Sequence, residues 1–391
     1  MKKVCVVTGT RAEYGLLRPL IQKINNDVDL ELQLVVTGMH LSPEFGLTYQ
    51  EIEQDGFKIT ERNEMLLSSD TPNGITKSIG LGTIGFADIF SKIAPDMVVL
   101  LGDRYEALAA ATAAMVHRIP IAHIHGGELT EGIIDEAIRH AITKMSILHF
   151  TATEKYRNRV IQLGEQPDKV FCVGALGVEN IKTQILMSKK ELEKSMCFKL
   201  DSPYILVTFH PVTLENNTVK EQFENLLEAL DQVSDYQIVF TKANADTDGR
   251  IINQKIDEYV GKNNNRAVAI ASLGMMRYLS ALQYCDMVVG NSSSGIIEVP
   301  SFHIPTVNIG DRQKGRVRGK SVVDCGYTSK EIANAIYTAQ MMNKNGTLQN
   351  VDNPYEGKNT SETILSVIKN NLAQNIDLKK HFYDISDGAD K

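Results

Sequence analysis

The sequence predicts an α/β protein built from two Rossmann-like halves with a central cleft. Three observations lead there. Short runs rich in Val, Ile and Leu alternate with amphipathic stretches from end to end, the pattern of parallel strands covered by helices on both faces. A chain of 391 residues is too long for one ordinary core, so two domains of roughly 150–200 residues are the natural prior. Nearly every strand candidate also ends in a polar or glycine-rich turn, and open parallel sheets collect their ligands beyond the carboxyl ends of their strands.

In the first half the strand candidates are Lys3–Thr8, Glu31–Thr37, Met97–Gly102, Ile119–Ile124, Ile147–Thr153 and Val170–Val173. Helical patterns such as Tyr105–His117, Ile133–Met145 and Glu154–Leu163 separate them. The charged segment Ser188–Ser202 has few strong apolar anchors and reads as the approach to an interdomain linker. The beat restarts with Tyr204–Phe209, Gln237–Lys242, Ala267–Ser272, Met287–Gly290 and Thr306–Ile309. Ser361–Leu372 is helical in pattern and is followed by a polar tail. The expected domains are 1–185, joined by the C-terminal helix and tail 361–391, and 186–360.

Composition narrows the function classes. With 43% hydrophobic and 23% charged residues, the chain is a globular protein rather than a disordered one. A net charge of −7 argues against a nucleic-acid partner, which calls for a basic face. No stretch approaches a membrane span and no signal-peptide pattern opens the chain. Five scattered cysteines without a C-x-x-C pair suit free thiols in a reducing cytoplasm.

The strongest local motif is Gly290-Asn291-Ser292-Ser293-Ser294-Gly295-Ile296-Ile297-Glu298, set between an apolar run and a short helical pattern. Such a loop can aim N–H groups and hydroxyls at a phosphate, with Glu298 one turn into the helix and near ribose hydroxyls; a helix-capping turn is the bland alternative. Asp311 to Arg318 adds cations at the same rim, Arg312 foremost, although Lys314 and Arg318 also fit a solvated charge run. Gly9-Thr10-Arg11-Ala12-Glu13 opens the first helix with another arginine. No dinucleotide or P-loop fingerprint is present.

His123 and His125 alternate as strand neighbours do, so both imidazoles could face a metal with Asp103, Glu128 and Asp135. The diphosphate-style loops already account for that rim, and the expectation is no metal. His140 and His149, single and in mostly apolar surroundings, read as structural. Asp103, Glu128, Glu131 and Asp135 gather at consecutive element ends, a set suited to proton transfer at a sugar carbon, though Asp135 also fits a capping or salt-bridge role with Arg139.

The ordered set G-T-R-A-E-Y-G (9–15), T-G-M-H (37–40), G-D-R-Y-E (102–106), H-I-H-G-G-E (123–128), D-E-A-I-R-H (135–140), H-P-V-T (210–213), G-N-S-S-S-G-I-I-E-V-P (290–300) and N-I-G-D-R-Q-K-G-R (308–316) resembles bacterial hydrolysing UDP-N-acetylglucosamine 2-epimerases of sialic-acid and related nonulosonic-acid synthesis. The resemblance runs from the first strand to about residue 320. It implies a glycosyltransferase-B-like fold whose last helix returns to the first domain, a UDP-sugar in the cleft, and a homo-oligomer (dimer or tetramer). It implies no cofactor, neither metal nor nicotinamide. Carried over by motif, Arg11, Arg104, His210, Asn244, Ser292, Ser293, Glu298 and Arg312 hold UDP. Asp103, Asp135 and Glu128 do proton work, with His210 counted on the catalytic side as well. Many relatives have a carboxylate where this chain has His125, so either Glu128 takes that role or His125 itself acts. The non-hydrolysing branch typically has Gln where this chain has Met39, which favours the hydrolysing branch.

The expected reaction turns UDP-N-acetylglucosamine and water into N-acetylmannosamine and UDP by elimination to a glycal and hydration. A UDP-N,N'-diacetylbacillosamine substrate is the alternative. A glycosyltransferase would use the same UDP cradle with less need for several acids, and a non-catalytic nucleotide-sugar sensor could lose the acids this chain retains.

Overall fold

The structure, a computed structural model, describes residues 1–67, 69, 71–130, 134–211, 218–243, 249–374 and 376–385. The chain divides into two compact units, one of 1–128, 135–180 and 356–391, the other of 129–134 and 181–355. Among the described residues no helix is long and apolar enough to cross a membrane.

The first unit holds a seven-stranded sheet of β1 (Lys2–Thr8), β2 (Leu30–Thr37), β3 (Ile59–Asn63), β4 (Met97–Leu101), β5 (Ile121–Ile124), β6 (Leu148–Thr151) and β7 (Val170–Cys172). Its order is β3-β2-β1-β4-β5-β6-β7, and every pair is parallel. Alternation along β1 explains why both faces are covered. Val4 and Val6 pack in one cluster with helices Arg11–Asn26 and Thr360–Leu372, while Cys5 and Val7 pack in another with helices Pro72–Ile93 and Tyr105–Val116. Strand β3 had no counterpart among the expected strands. It is an edge strand of sequence I-T-E-R-N with little apolar signal, held by register to Leu34–Thr37.

The second unit repeats the plan with six parallel strands: β8 (Tyr204–Thr208), β9 (Gln237–Thr241), β10 (Ala267–Ile270), β11 (Met287–Gly290), β12 (Thr306–Ile309) and β13 (Val322–Cys325). The order is β10-β9-β8-β11-β12-β13. Ile205, Val207 and Phe209 enter one core cluster; Tyr204 and Leu206 enter the opposite one. Each sheet reverses its winding once, between β1 and β4 and between β8 and β11. Those switch points are where a doubly wound sheet opens a crevice for ligand.

The segment 188–202, read from the sequence as the approach to an interdomain linker, packs into the second unit. It forms helix Lys189–Met196 with a full capping box, Ser188 with Glu191, and buries Leu192, Met196 and Leu200 in the core of the second unit. Its apolar residues recur four apart, a stripe too narrow to stand out among the lysines and glutamates. The tail is also anchored as far as it is described. The Lys380 ammonium donates to the carbonyls of Ser146 (2.6 Å) and Lys144 (2.8 Å), the Tyr383 N–H donates to Gly164 O at 2.9 Å, and Phe382 packs against Gly164.

The same region shows that His149 is structural, with an ionic partner. His149 Nε2 lies 3.0 Å from Glu165 Oε2, and Lys144 (2.6 Å) and Lys380 (2.7 Å) reach the same carboxylate. Burial would raise the Glu165 carboxyl, yet the bonds from His149 and the two lysines hold it down at about 2. Burial pushes His149 below its ordinary value despite Glu165.

Two predictions follow from these contacts. Gly290 has φ +144°, and a Cβ there would overlap the Thr208 carbonyl oxygen of the neighbouring strand. Gly290→Ala therefore costs at least about 3 kcal/mol and lowers the melting midpoint of this unit by roughly 10 °C; an unchanged melt would remove the steric argument. The second concerns acid. Glu165 sits below its ordinary 4.5 in the fold, so its stabilisation is complete above pH 4.5 and drains away as pH falls toward 2, on the order of 3 kcal/mol in all. His149 adds a loss of the same sign below pH 6.5, because the unfolded chain takes up that proton more readily. Glu165→Gln should be less stable at neutral pH and show a flatter acid limb between pH 4.5 and 2 in pH-dependent melting. An acid limb as steep as wild type would refute it.

Candidate active site

The first unit gathers its polar groups at the exits of β1, β4 and β5. Thr10 caps helix Arg11–Asn26 by accepting the Glu13 N–H at 3.2 Å, and the Glu13 carboxylate accepts the Gly9 N–H at 2.6 Å. Burial raises Glu13 to about 7, with the nearby Glu106 carboxylate adding to the rise. Arg104 lays its guanidinium across the buried Glu106, Nε at 3.2 Å and Nη2 at 3.3 Å, with Nη2 also 4.0 Å from Met39 Sδ. Arg11 pairs with Glu51 at 3.1 Å. Both arginines thus stand at the switch point of the first sheet, each held by a carboxylate.

Past β4, Asp103 is bonded to Nη2 of Arg139, whose side chain is 1% exposed. Arg139 Nη1 donates to the Glu128 carbonyl at 2.8 Å and lies 3.8 Å from Glu136. One buried guanidinium therefore ties the β4 exit, the β5 exit and the helix Asp135–Met145 together. Asp135 begins that helix and is half-buried. Glu128 is buried with Oε1 3.3 Å from His125 Nδ1, and among the described residues none hydrogen-bonds the buried His125 Nε2. Close approach sets this loop. Gly127 has φ +78°, a Cβ there would lie 2.5 Å from Tyr156 O, and Arg159 donates to the Gly127 carbonyl.

The two histidines do not share a strand face. His125 follows the end of β5 with φ +66°, which breaks the alternation. His123 stays in the strand, with Nε2 2.7 Å from Gly102 O and Nδ1 3.2 Å from Thr143 Oγ1. Burial pushes it down to about 3, so it is a neutral bridge inside the sheet. With both His123 nitrogens engaged, a chelating pair has no support. His40 is a second such bridge, between Thr8 (3.1 Å) and Thr48 (2.8 Å), lowered to about 4 by burial. Glu131 lies outside the described residues.

In the second unit the polar groups leave β8, β11 and β12. His210 follows β8, and its backbone N–H and C=O both bond the Asn291 side chain at 2.7 Å. Ser292 and Ser293 are half-buried after β11, and the Ser294 hydroxyl donates to Tyr278 Oη at 2.7 Å. The helix here is one turn, Ser294–Ile297, running into a 3-10 turn at Val299–Phe302. Glu298 is its C-terminal cap rather than a residue inside a longer helix. Pro300 forbids a continued helix, so little macrodipole is available and the loop N–H groups and hydroxyls are what remains for an anion.

After β12, Arg312 Nη1 and Gln313 Nε2 both donate to Asn291 O, at 3.2 and 2.8 Å. Arg318 is not merely solvated: it donates to Gln313 O at 3.1 Å and pairs with Asp324 at 3.3 Å. Arg316 donates to Thr130 Oγ1 at 3.1 Å. Asn244 lies outside the described residues.

Of the expected residues, Asp103, His125, Glu128 and Asp135 sit together in the first unit, with Arg11 and Arg104 at its switch point. His210, Ser292, Ser293, Glu298 and Arg312 sit at the corresponding edge of the second. Four residues that hold these groups were not singled out for the site from the sequence: Glu13, Arg139, Asn291 and Gln313. The T-x-x-E pattern of a capping box marked Glu13. No local signal marked Arg139 as the partner of Asp103, since the two are 36 positions apart.

The model of a family described as UDP-N-acetylglucosamine 2-epimerase matches residues 22–369. The GDP/UDP-N,N'-diacetylbacillosamine 2-epimerase (hydrolyzing) of Campylobacter jejuni is 47% identical over 323 residues, 83% of this chain and 84% of its own length. The polysialic acid biosynthesis protein P7 of Escherichia coli is 41% identical over 386 residues, 98% of each chain. The crystal structure of the Neisseria meningitidis UDP-GlcNAc 2-epimerase bound to UDP-GlcNAc superimposes with a TM-score of 0.78 at 20% identity, over 94% of this chain and 100% of that one. The two sheets and their crossover order are those of this two-domain, glycosyltransferase-B-like fold, and the chain belongs to the UDP-N-acetylglucosamine 2-epimerase family.

Proposed function

We propose that this chain is a hydrolysing 2-epimerase, which releases UDP and a free sugar inverted at C2 from a UDP-2-acetamido sugar. The observation that carries the reading is the set Asp103, the His125–Glu128 pair and Asp135 at the exits of β4 and β5 and the start of the next helix, where the buried Arg139 bonds Asp103 and the Glu128 carbonyl. A glycosyltransferase or a sensor has no use for so many proton carriers. Identity of 47% to a relative named for N,N'-diacetylbacillosamine favours that 4-acetamido-6-deoxy sugar as substrate. Identity of 41% along 98% of the polysialic acid protein supports plain N-acetylglucosamine as the second reading.

The chemistry runs in two halves. The C2 proton of the sugar is not next to a carbonyl and resists direct removal. As the C1–O bond to UDP lengthens, C1 gains oxocarbenium character and the C2–H becomes acidic. In this reading the second unit holds the diphosphate through Arg312, Ser292 and Ser293, with His210 beside it, and so stabilises the leaving group. Arg11 and Arg104 add positive charge, and Glu298 contacts the nucleoside. A carboxylate of the first unit, Asp103 or Glu128, takes the C2 proton, giving UDP and a glycal. Asp135 and the His125–Glu128 pair serve the return half: water adds at C1 and a proton is delivered to the opposite face of C2. Met39, against Arg104 where the non-hydrolysing branch carries Gln, accords with loss of the sugar to water.

Arg312→Ala should weaken UDP binding by at least about tenfold, because it removes a ground-state phosphate contact. Asp103→Asn should chiefly lower kcat, by about 10²-fold or more. Steady-state kinetics and UDP titration separate the two, and an Asp103→Asn enzyme with normal turnover at saturation would remove Asp103 from the proton transfers.

The reaction itself is tested with isotopes and both UDP-sugars. Turnover in deuterated water should place deuterium at C2 of the product. Turnover in oxygen-18 water, quenched before the anomeric oxygen exchanges, should label C1 and leave UDP unlabelled. The N,N'-diacetylbacillosamine substrate should show the higher kcat/KM. Release of UDP with an unexchanged C2 and retained configuration would identify a simple hydrolase or transferase instead.

A further inference from the structure

The exits of β8, β11 and β12 meet at one residue, Asn291, through its side-chain amide and its backbone together. Asn291 is 1% exposed. Its Oδ1 accepts the His210 N–H and its Nδ2 donates to the His210 carbonyl, each at 2.7 Å. Its own N–H donates to Thr208 O at 3.1 Å. Its carbonyl accepts Arg312 Nη1 at 3.2 Å and Gln313 Nε2 at 2.8 Å. A primary amide is the side chain that offers one donor and one acceptor side by side, as engaging both polar groups of a single peptide residue requires. Aspartate lacks the donor, and an aliphatic residue lacks both.

We propose that Asn291 is a positioning residue, whose side chain locks the His210 backbone in register with the Ser292–Ser293 turn, beside the Arg312 guanidinium held by its backbone carbonyl, before ligand arrives. The inference rests on the reading of the second unit as the UDP-binding half. Buried side chains that fix the groups around them lower the ordering cost of binding. The Asn291 side chain ties the β8 exit to the turn after β11, while its backbone holds Thr208, Arg312 and Gln313, so loss of the side chain should be felt in ligand affinity before it is felt in folding.

The test is a double-mutant cycle on the full chain, with UDP as the titrated probe and melting measured alongside. Asn291→Ala should bind UDP about tenfold more weakly and raise KM more than it lowers kcat. Acting through His210, it should be non-additive: Asn291→Ala with His210→Ala should lose no more than about threefold beyond the worse single variant. Asn291→Asp, which keeps shape and one bond but sets a carboxylate against the His210 carbonyl, should bind UDP at least as weakly as the alanine variant, and it carries the cycle if the alanine variant fails to fold. Additive losses would overturn the positioning role, as would UDP affinity unchanged from a wild type that binds. Collapse of melting in both variants would make Asn291 a folding residue and overturn it too. A wild-type chain that takes no UDP would overturn this inference together with the reading beneath it.

Discussion

Within each sheet every strand points the same way, and most of what this protein can do follows from that. A parallel strand leaves its sheet at one edge, and the next strand must be reached by a crossover that returns to the other. The loops that can carry chemistry therefore crowd along a single edge of each sheet. Where the winding reverses, between β1 and β4 and between β8 and β11, neighbouring loops diverge onto opposite faces and leave room for a ligand. Arg11, Arg104, His210 and Ser292 owe their positions to this rule. The residues differ between the units; the constraint is the same.

Burial on both faces has an electrostatic cost that each unit meets with hydrogen bonding. Arg139 is almost completely buried, but Asp103, Glu136 and the Glu128 carbonyl surround it. Glu165 is deep in the opposite end of the first sheet and has a histidine and two lysines. Glu13, with a backbone N–H and an acidic neighbour, is instead raised to about 7. Cations bonded to Glu165 keep it ionised against burial, whereas burial raises Glu13, with the neighbouring Glu106 carboxylate adding to the rise. Asn291 achieves in the second unit with a neutral amide what Arg139 achieves in the first with a charge.

Much of the fold was legible because the strands that matter are central. β1, β4, β8 and β11 are nearly continuous runs of Val, Ile and Leu, and their polar exits stand out against them. The edge strands β3 and β13 were missed for the same physical reason: half-covered strands carry Thr, Glu, Arg and Asp, and only pairing defines them. The charged helix Lys189–Met196 hid a core stripe of Leu192 and Met196. In the site, residue identities were readable as motifs, while mutual support was not. His123 and His125 looked equivalent until a positive φ separated them. Arg139 with Asp103 and Asn291 with His210 are 36 and 81 positions apart, beyond the reach of any local pattern.

The return of the chain to its first unit sets an order of events during synthesis. Ile364, Leu365, Ile368 and Leu372 belong to the same cluster as Val4, Val6 and Leu17. Lys369 also pairs with Asp27 and Asp29 at the end of the first helix. On the ribosome the second unit, which is nearly contiguous, has all of its strands before that helix emerges. The first unit must wait, with one flank of its hydrophobic layer open to water or to a chaperone, until the helix Thr360–Leu372 has emerged. A chain released after residue 355 would thus carry all the strands of the second unit and an uncovered flank on the first, reversing the usual order in which domains mature.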